Sequence, residues 1–423
     1  MTDLAPILSE ETTMNAVTQS LRAAAPRLPT PGSPELEELL AALSEGASER
    51  DASRTLPFEQ VALVRKSRLG ALRLRKEEGG GGLSLRELLS VVIRLGEADP
   101  NVAHILRNHF GFVERFTQPS VGDRHLRWAR LVAGGDIVGL AMTEMNAKNV
   151  GGVEFETRLT RDGDDYVLNG TKYFSTGSIF SDYVLVRAQD EGGRYVSAVI
   201  PSVRDGMTLE DDWDGMGQRL TGTGTTRLAN VRVAPEELIF DDESDGVGFG
   251  RPYHGSYSQL FLTAIVAGIV RAAAAEAAAL VKKRARTFSF APTERPVDDP
   301  ILQQTVGEIS AAAFAAEAAV LAAADALDRA VASRVEGRPA LDAAHDGALA
   351  AAKAKIIVDE LAIRSGAAVF DAGGASATKK SHNLDRHWRN ARTLASHNPA
   401  AYKARSVGQH LITGDPLPLT GFF

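Results

Sequence analysis

Four small residues, Ser175-Thr176-Gly177-Ser178, follow a run that reads as a β-strand, Lys172-Tyr173-Phe174. Hydroxyl and backbone N–H donors with little bulk above them suit the edge of a flat polar ring held at close range. A strand that simply ends in a polar loop would look the same. Just upstream, after Tyr166-Val167-Leu168, Asn169-Gly170 predicts a two-residue type I′ hairpin turn, which needs positive φ at both central positions. A second candidate lies far along the chain, where His397 precedes Asn398-Pro399. Pro399 disfavours helical conformation at Asn398, so a helix from Asp385 should stop near His397. The dipole at a helix C-terminus favours imidazolium, a good donor to an oxygen that gains charge. A histidine that merely caps the helix is the alternative.

Composition narrows the chemistry. The 423 residues contain no cysteine, which removes thiolate nucleophiles, disulfides and cysteine-held metals and fits a reducing, cytoplasmic setting. No metal site is expected. A formal net charge of −7 gives no reason to expect nucleic acid or an anionic membrane as partner. The N-terminus lacks a signal-peptide layout, and the longest apolar run, Leu260 to Val270, stops at Arg271, too short to span a bilayer.

The elements that must position these residues fall into blocks. Residues 1–34 are Pro-rich and read as a flexible arm. Residues 35–130 carry a helical period through Leu36, Leu39, Leu40 and Leu43, then Leu88, Leu89, Val92, Ile93 and Leu95. Gly79-Gly80-Gly81-Gly82 interrupts them as a flexible turn; it follows no strand and is no dinucleotide fingerprint. Residues 131–240 alternate with period two between Gly, Asp and Asn punctuation, which predicts a β domain of short antiparallel strands. In 241–423, Gln259–Arg286, Ile301–Arg334, Ala340–Phe370 and Asp385–Ser396 are Ala-rich helical segments, enough for a bundle. The fold class is α+β, multi-domain.

That order, with several local strings, resembles the acyl-CoA dehydrogenase superfamily. The strings are Leu69-Gly70, Glu77–Gly80 and Leu95–Asp99; Ala141-Met142-Thr143-Glu144; Leu168–Ser178; and Met216-Gly217-Gln218-Arg219 with Thr221, Thr223 and Val231-Arg232-Val233. The last group looks like the family's closing β strands. The resemblance spans about residues 55–410 and implies an N-terminal helical domain, a central β-barrel-like domain and a C-terminal four-helix bundle. Tyr173–Phe180, Lys148-Asn149-Val150 and Asp385–Pro399 look closer still to the reduced-flavin monooxygenase branch, which includes dibenzothiophene monooxygenase.

The dehydrogenases of the family need a carboxylate base over the flavin. At its two usual places this chain has Ser396-His397-Asn398-Pro399 and Tyr257-Ser258-Gln259. The resemblance therefore implies a two-component monooxygenase. It would take reduced FMN (or FADH2) from a separate NAD(P)H:flavin reductase, form a C4a-hydroperoxyflavin with O2, and oxygenate sulfur, nitrogen or aromatic carbon of a small molecule. The lack of a NAD(P)H fingerprint fits such delivery. An acyl-CoA dehydrogenase or oxidase is the alternative, and a non-catalytic flavin-binding protein is one of another class.

By resemblance, His397, Thr176, Ser178 and His109 are the catalytic candidates, and Thr143, Asn146, Phe174, Ser175, Thr176 and Gly177 contact the flavin. Arg284, Arg286, Gly373 and Gly374 would reach the cofactor of a neighbouring subunit, which implies a homo-oligomer, in this family a tetramer. Trp213 and Phe110 would line the substrate pocket. A structural place is an open alternative for His109, Phe174, Trp213 and the two arginines.

Overall fold

Capping residues set the starts of the N-terminal helices. The structure, a computed structural model, describes residues 27–117, 124–145, 155–240, 253–335, 338–418 and 423. Ser33 caps α1 (Pro34–Ser44) by accepting from the Leu36 amide. Helices α2 (Ala47–Ser53) and α3 (Phe58–Ser67) follow, and a reciprocal Ser84–Glu87 capping box opens α4 (Leu85–Ala98). Asp99 opens α5 (Pro100–Val113) by accepting from the Asn101 and Val102 amides, and Arg50 pairs with it at 2.9 Å. Helix α6 (Arg124–Gly134) leads to the sheet.

The glycine run before α4 is not a flexible turn. Gly81 N donates to Ala71 O at 3.1 Å, Gly82 N to Leu74 O at 2.8 Å and Leu83 N to Leu72 O at 3.0 Å. A Cβ at Gly81 would come within 2.7 Å of Leu72 O, so backbone lies on backbone there.

The sheet comprises β1 (Val138–Ala141), β2 (Arg158–Asp162), β3 (Asp165–Lys172), β4 (Tyr183–Asp190), β5 (Tyr195–Pro201), β6 (Met207–Leu209), β7 (Thr226–Val233) and β8 (Leu238–Phe240). The order is β6-β7-β3-β2-β4-β5-β8, with β1 also on β4. It is mixed, not purely antiparallel, because β1 and β2 both run parallel to β4. Nor does Asn169-Gly170 turn the chain: β3 runs through it, and Gly163, at φ +66, makes the β2–β3 turn. Gly170 marks a register shift against β7, and the Asn169 side chain accepts from the Asn230 amide at 2.7 Å. Of the string read as closing strands, Met216–Thr223 is loop and only Val231–Val233 lies in β7.

The bundle comprises α7 (His254–Lys283), α8 (Pro300–Ala332), α9 (Leu341–Gly373), α10 (Asp385–Ala395) and a helix the sequence reading missed, α11 (Ala400–Thr413). Ala-rich faces let these helices pack closely, and α7 crosses α4 at two glycines. A Cβ at Gly96 would come within 2.7 Å of Ile265 O, and Gly268 abuts Ile93 O. By length and composition α7 and α8 would suffice to cross a membrane, although the apolar run stops at Arg271. In this fold α7 packs against α4, α5, α8 and α9.

Candidate active site

Helical spacing puts His104, Arg107 and Asn108 on one face of α5. Asn108 Nδ2 donates to Thr176 O at 3.0 Å, and a Cβ at Gly177 (φ +82) would come within 2.7 Å of Ile105 O. The turn after β3 is thus pressed onto α5. Its backbone amides are spent inside the protein: Ser175 N donates to Gly224 O, Thr176 N to Phe174 O, Gly177 N to Thr221 O and Ser178 N to Ser175 O. Ser175 Oγ accepts from Thr226. The free N–H donors expected from the sequence are not there.

A chain of hydroxyls takes their place. Thr221 Oγ1 donates to Gln218 O at 2.8 Å, which uses its only proton. Thr223 must then donate to Thr221 at 2.7 Å, and Thr176 to Thr223 at 2.9 Å. The carbonyl end therefore fixes the direction, and Thr176 Oγ1 is left with lone pairs alone. It is an acceptor that awaits a donor.

Gln218 holds the other side. It is a non-glycine residue at φ +51, a strained conformation of the kind that clusters at functional sites. Asn390 Oδ1 of α10 accepts from its amide at 2.6 Å, and Trp213 Nε1 donates to its carbonyl at 3.0 Å. His104 Nδ1 donates to its Oε1 at 3.1 Å, while its Nε2 is buried with no partner. Phe174, at φ +55 and 51% exposed, meets Trp213 edge-on at 6.2 Å between ring centroids. Two residues expected at the site, one against the flavin and one in the substrate pocket, thus come together.

His397 sits between α10, which ends at Ala395, and Pro399, which starts α11. Its surface is open to solvent, yet burial leads the causes that push its pKa well below the usual value. The side chain is open to solvent on one side while the surrounding protein desolvates the ring. Among the described residues the charged groups that act on it are Arg107 and Lys355, both cationic, and a protonated His104 would also disfavour its charge. The imidazolium expected from the helix dipole is therefore corrected to neutral imidazole. Arg107 Nε donates to Ser258 O at 3.1 Å, and Lys355 is held by Asp359 at 2.7 Å.

Other expected residues lie elsewhere. His109 is fully buried, donating from Nε2 to Gly70 O at 3.0 Å and accepting at Nδ1 from Val138 N at 3.1 Å. Nδ1 fastens β1 to α5 and Nε2 ties α5 to the segment at Gly70, whereas His104, five residues earlier and on a different face, meets Gln218 instead. Phe110 is core, 5.8 Å from Phe261 between centroids, not pocket lining. Ser178 is buried against β1, where a Cβ at Gly139 would come within 2.8 Å of its hydroxyl. Thr143 bridges Tyr173 beside the turn, and Asn146 lies outside the described residues.

Arg284 donates to Ala372 O at 3.4 Å beside Gly373 and Gly374, and its Nε to Arg286 O at 3.1 Å. This corner is at the far end of α7 from Ser258, along a 30-residue helix about 45 Å long. Within one chain the expected site residues therefore form two separate groups. The sequence reading missed His104, Arg107, Asn108, Gln218, Thr221 and Thr223 as site residues. The helical period of α5 offered a signal for the first three.

Neutral buried histidines have a consequence in acid. Burial pushes the pKa of His104 down to about 3 and that of His109 to about 4, against 6.5 when exposed. Below pH 6.5 the unfolded chain binds more protons, so stability is complete above that pH and is lost as pH falls toward 4. At pH 5.5 the pair is expected to cost about 3 kcal/mol relative to pH 7.5. Urea unfolding at the two pH values measures it; equal stabilities would refute the assignment.

Residues 139–231 match the family described as "Acyl-CoA dehydrogenase, middle domain", and 260–401 match "Acyl-CoA dehydrogenase, C-terminal domain". The chain is 30% identical over 392 residues to dibenzothiophene monooxygenase of Rhodococcus erythropolis, covering 89% of this chain and 91% of that one. It is 29% identical to "Probable FMNH2-dependent monooxygenase SfnC" of Pseudomonas putida, over 93% of this chain and 98% of the relative. The crystal structure of TdsC from Paenibacillus sp. A11-2 with FMN and indole superposes with a TM-score of 0.82 at 30% identity, over 92% of this chain and 99% of that one.

Proposed function

We propose a reaction for a chain that belongs to the acyl-CoA dehydrogenase superfamily and, within it, to the flavin-dependent monooxygenases. It is a monooxygenase that uses reduced FMN and O2 on a small organic molecule. Reduced FMN arrives from a separate NAD(P)H:flavin reductase. The observation that carries the reading is the charge around His397. Where a dehydrogenase would put its carboxylate base, the groups acting on this imidazole among the described residues are the cations Arg107 and Lys355 and the neutral His104, with no carboxylate.

The residues present fit a reduced flavin. A reduced isoalloxazine carries an extra ring N–H, and Thr176 Oγ1 is the buried acceptor left without a donor. The unpartnered Gln218 Nε2 suits a ring carbonyl. When bound, reduced FMN supplies the two electrons that activate O2 for transfer of one oxygen atom. Thr176 and Gln218 hold the ring edge, and Phe174 with Trp213 closes the mouth against water. Neutral His397 offers one N–H to an oxygen that gains negative charge, and Arg107 and Lys355 favour that charge. Arg284 and the Gly373-Gly374 turn complete the cofactor site of another copy, so the working form is at least a dimer and, as in the family, a tetramer. Light scattering that finds only monomer with FMN bound would contradict this.

The decisive experiment supplies FMN, NADH and a flavin reductase under 18O2 with a panel of organic sulfides, sulfinates and indoles. One labelled oxygen in a product is expected. Flavin bleached anaerobically by an acyl-CoA, with no labelled product, would overturn the reading.

The hydroxyl chain makes a second prediction. Thr223→Val frees the Thr176 proton, so Thr176 can then donate to oxidised flavin. The preference for reduced over oxidised FMN is expected to fall about tenfold, the worth of roughly one hydrogen bond. Equilibrium titrations with the two forms measure it, and an unchanged ratio would reject the direction assigned to the chain.

A further inference from the structure

Two buried asparagines from different helices hold the backbone around Gln218. Asn390 Oδ1, on α10, accepts from the Gln218 amide at 2.6 Å, and Asn101 Oδ1, on α5, accepts from the Leu220 amide at 3.2 Å. Gln218 and Leu220 are themselves buried, so neither amide has water to turn to. Just upstream, Arg389 Nη1 donates to Met216 O at 3.1 Å, and a Cβ at Gly217 would come within 2.1 Å of Arg389 O. Arg389 is in turn paired with Asp51 of α2 at 2.8 Å.

A residue at φ +51 that is not glycine keeps that conformation only where its surroundings impose it. The φ rotation lies between the amide that Asn390 holds and the atoms that the site uses. Those atoms are the carbonyl, which receives Trp213 Nε1 and the Thr221 hydroxyl, and the side chain, which receives His104. We infer that Asn101 and Asn390 are positioning residues for the flavin site. They pin Gln218 in its left-handed conformation and so set the direction of the threonine chain. With the Gln218 carbonyl in place, Thr221 uses its proton there and Thr176 is left an acceptor. With that carbonyl swung away, Thr221 can donate to Thr223 and Thr223 to Thr176, which turns Thr176 into a donor. The effect on FMN rests on the monooxygenase reading; the clamp on Gln218 does not.

The test has two arms. In the first, fluorotryptophan is incorporated into the flavin-free protein and fluorine NMR spectra are recorded. Trp213→Phe assigns the Trp213 signal, and Trp128, packed beside Phe112, is the control. In Asn390→Ala the Trp213 signal should shift or broaden while that of Trp128 stays, because the carbonyl that Trp213 bonds is no longer fixed. Asn390→Asp, which keeps the acceptor oxygen, should restore it. In the second arm, the preference for reduced over oxidised FMN should fall about tenfold in Asn390→Ala, as in Thr223→Val. Asn101→Ala, on the other helix, should act in the same direction in both arms. Asn390→Ala combined with Thr223→Val should stay near about tenfold rather than reach about a hundredfold, because both changes act on one chain. An unmoved Trp213 signal in both alanine variants overturns the inference, and so does a double variant whose losses multiply. Unchanged preference in Thr223→Val alone would sink the chain direction and with it the effect on FMN, whereas the fluorine signal still decides the clamp.

Discussion

Replacing His397 by alanine is expected to cut the yield of oxygenated product at least about 100-fold while reduced FMN is still oxidised, with hydrogen peroxide released in place of product. A single preorganised donor at a site of developing charge is worth about 10²–10³ in rate. Burial and the charges of Arg107 and Lys355 act on His397 and keep its imidazole neutral. The substitution removes that donor and leaves the cations, so the flavin should still bind. The ratio of product to peroxide is the measurement. His397→Gln, which restores an N–H at similar reach, should recover part of the coupling. An unchanged ratio in the alanine variant would leave His397 as the link between α10 and α11 and nothing more.

Glu144→Leu is expected to cost about 3–5 kcal/mol of stability, the usual price of removing one partner of a buried ion pair. Glu144 Oε1 accepts from Lys172 Nζ at 2.6 Å, with the lysine side chain 0% exposed. The same carboxylate takes the Thr157 amide at 3.0 Å, the Thr157 hydroxyl at 2.6 Å and the Glu156 amide at 2.5 Å. Burial already lowers the Lys172 pKa to about 8, and without Glu144 the ammonium would face, among the described residues, the Phe155 ring 4.1 Å away and the like charge of Arg187. Urea unfolding should show the loss, and Glu144→Leu with Lys172→Met should regain most of it. A single-variant loss below about 1 kcal/mol would mean that water reaches Lys172.

What the sequence could tell depended on how local the cause was. Bundle helices α7 to α10 were readable because Ala content and apolar period are properties of one segment. Asn169-Gly170 misled because its preference for a turn was overridden by pairing with β7, which lies about 60 residues on. The glycine run before α4 misled for the same reason: its partners are the carbonyls of Ala71, Leu72 and Leu74, which no composition rule foresees.

At the site, His397 and Thr176 stood out because each belongs to a short string. The choice between His104 and His109 could not be made that way. Five residues apart on one helix, they differ only in what lies opposite, Gln218 for one and Gly70 with Val138 for the other. The charge of His397 was misjudged likewise, since the helix dipole is local to α10 whereas Arg107 and Lys355 come from α5 and α9. The polarity of the threonine chain needed three contacts at once and was beyond any linear reading.

The length of α7 has a consequence for how the enzyme would behave in dilute solution. With Ser258 near one end and Arg284 at the other, no single molecule brings both groups to one small cofactor. If each copy lends its basic corner to another's ring, FMN retention becomes a readout of association. Serial dilution should then release flavin and dissociate the particle over the same concentration range, and excess FMN should drive the copies back together.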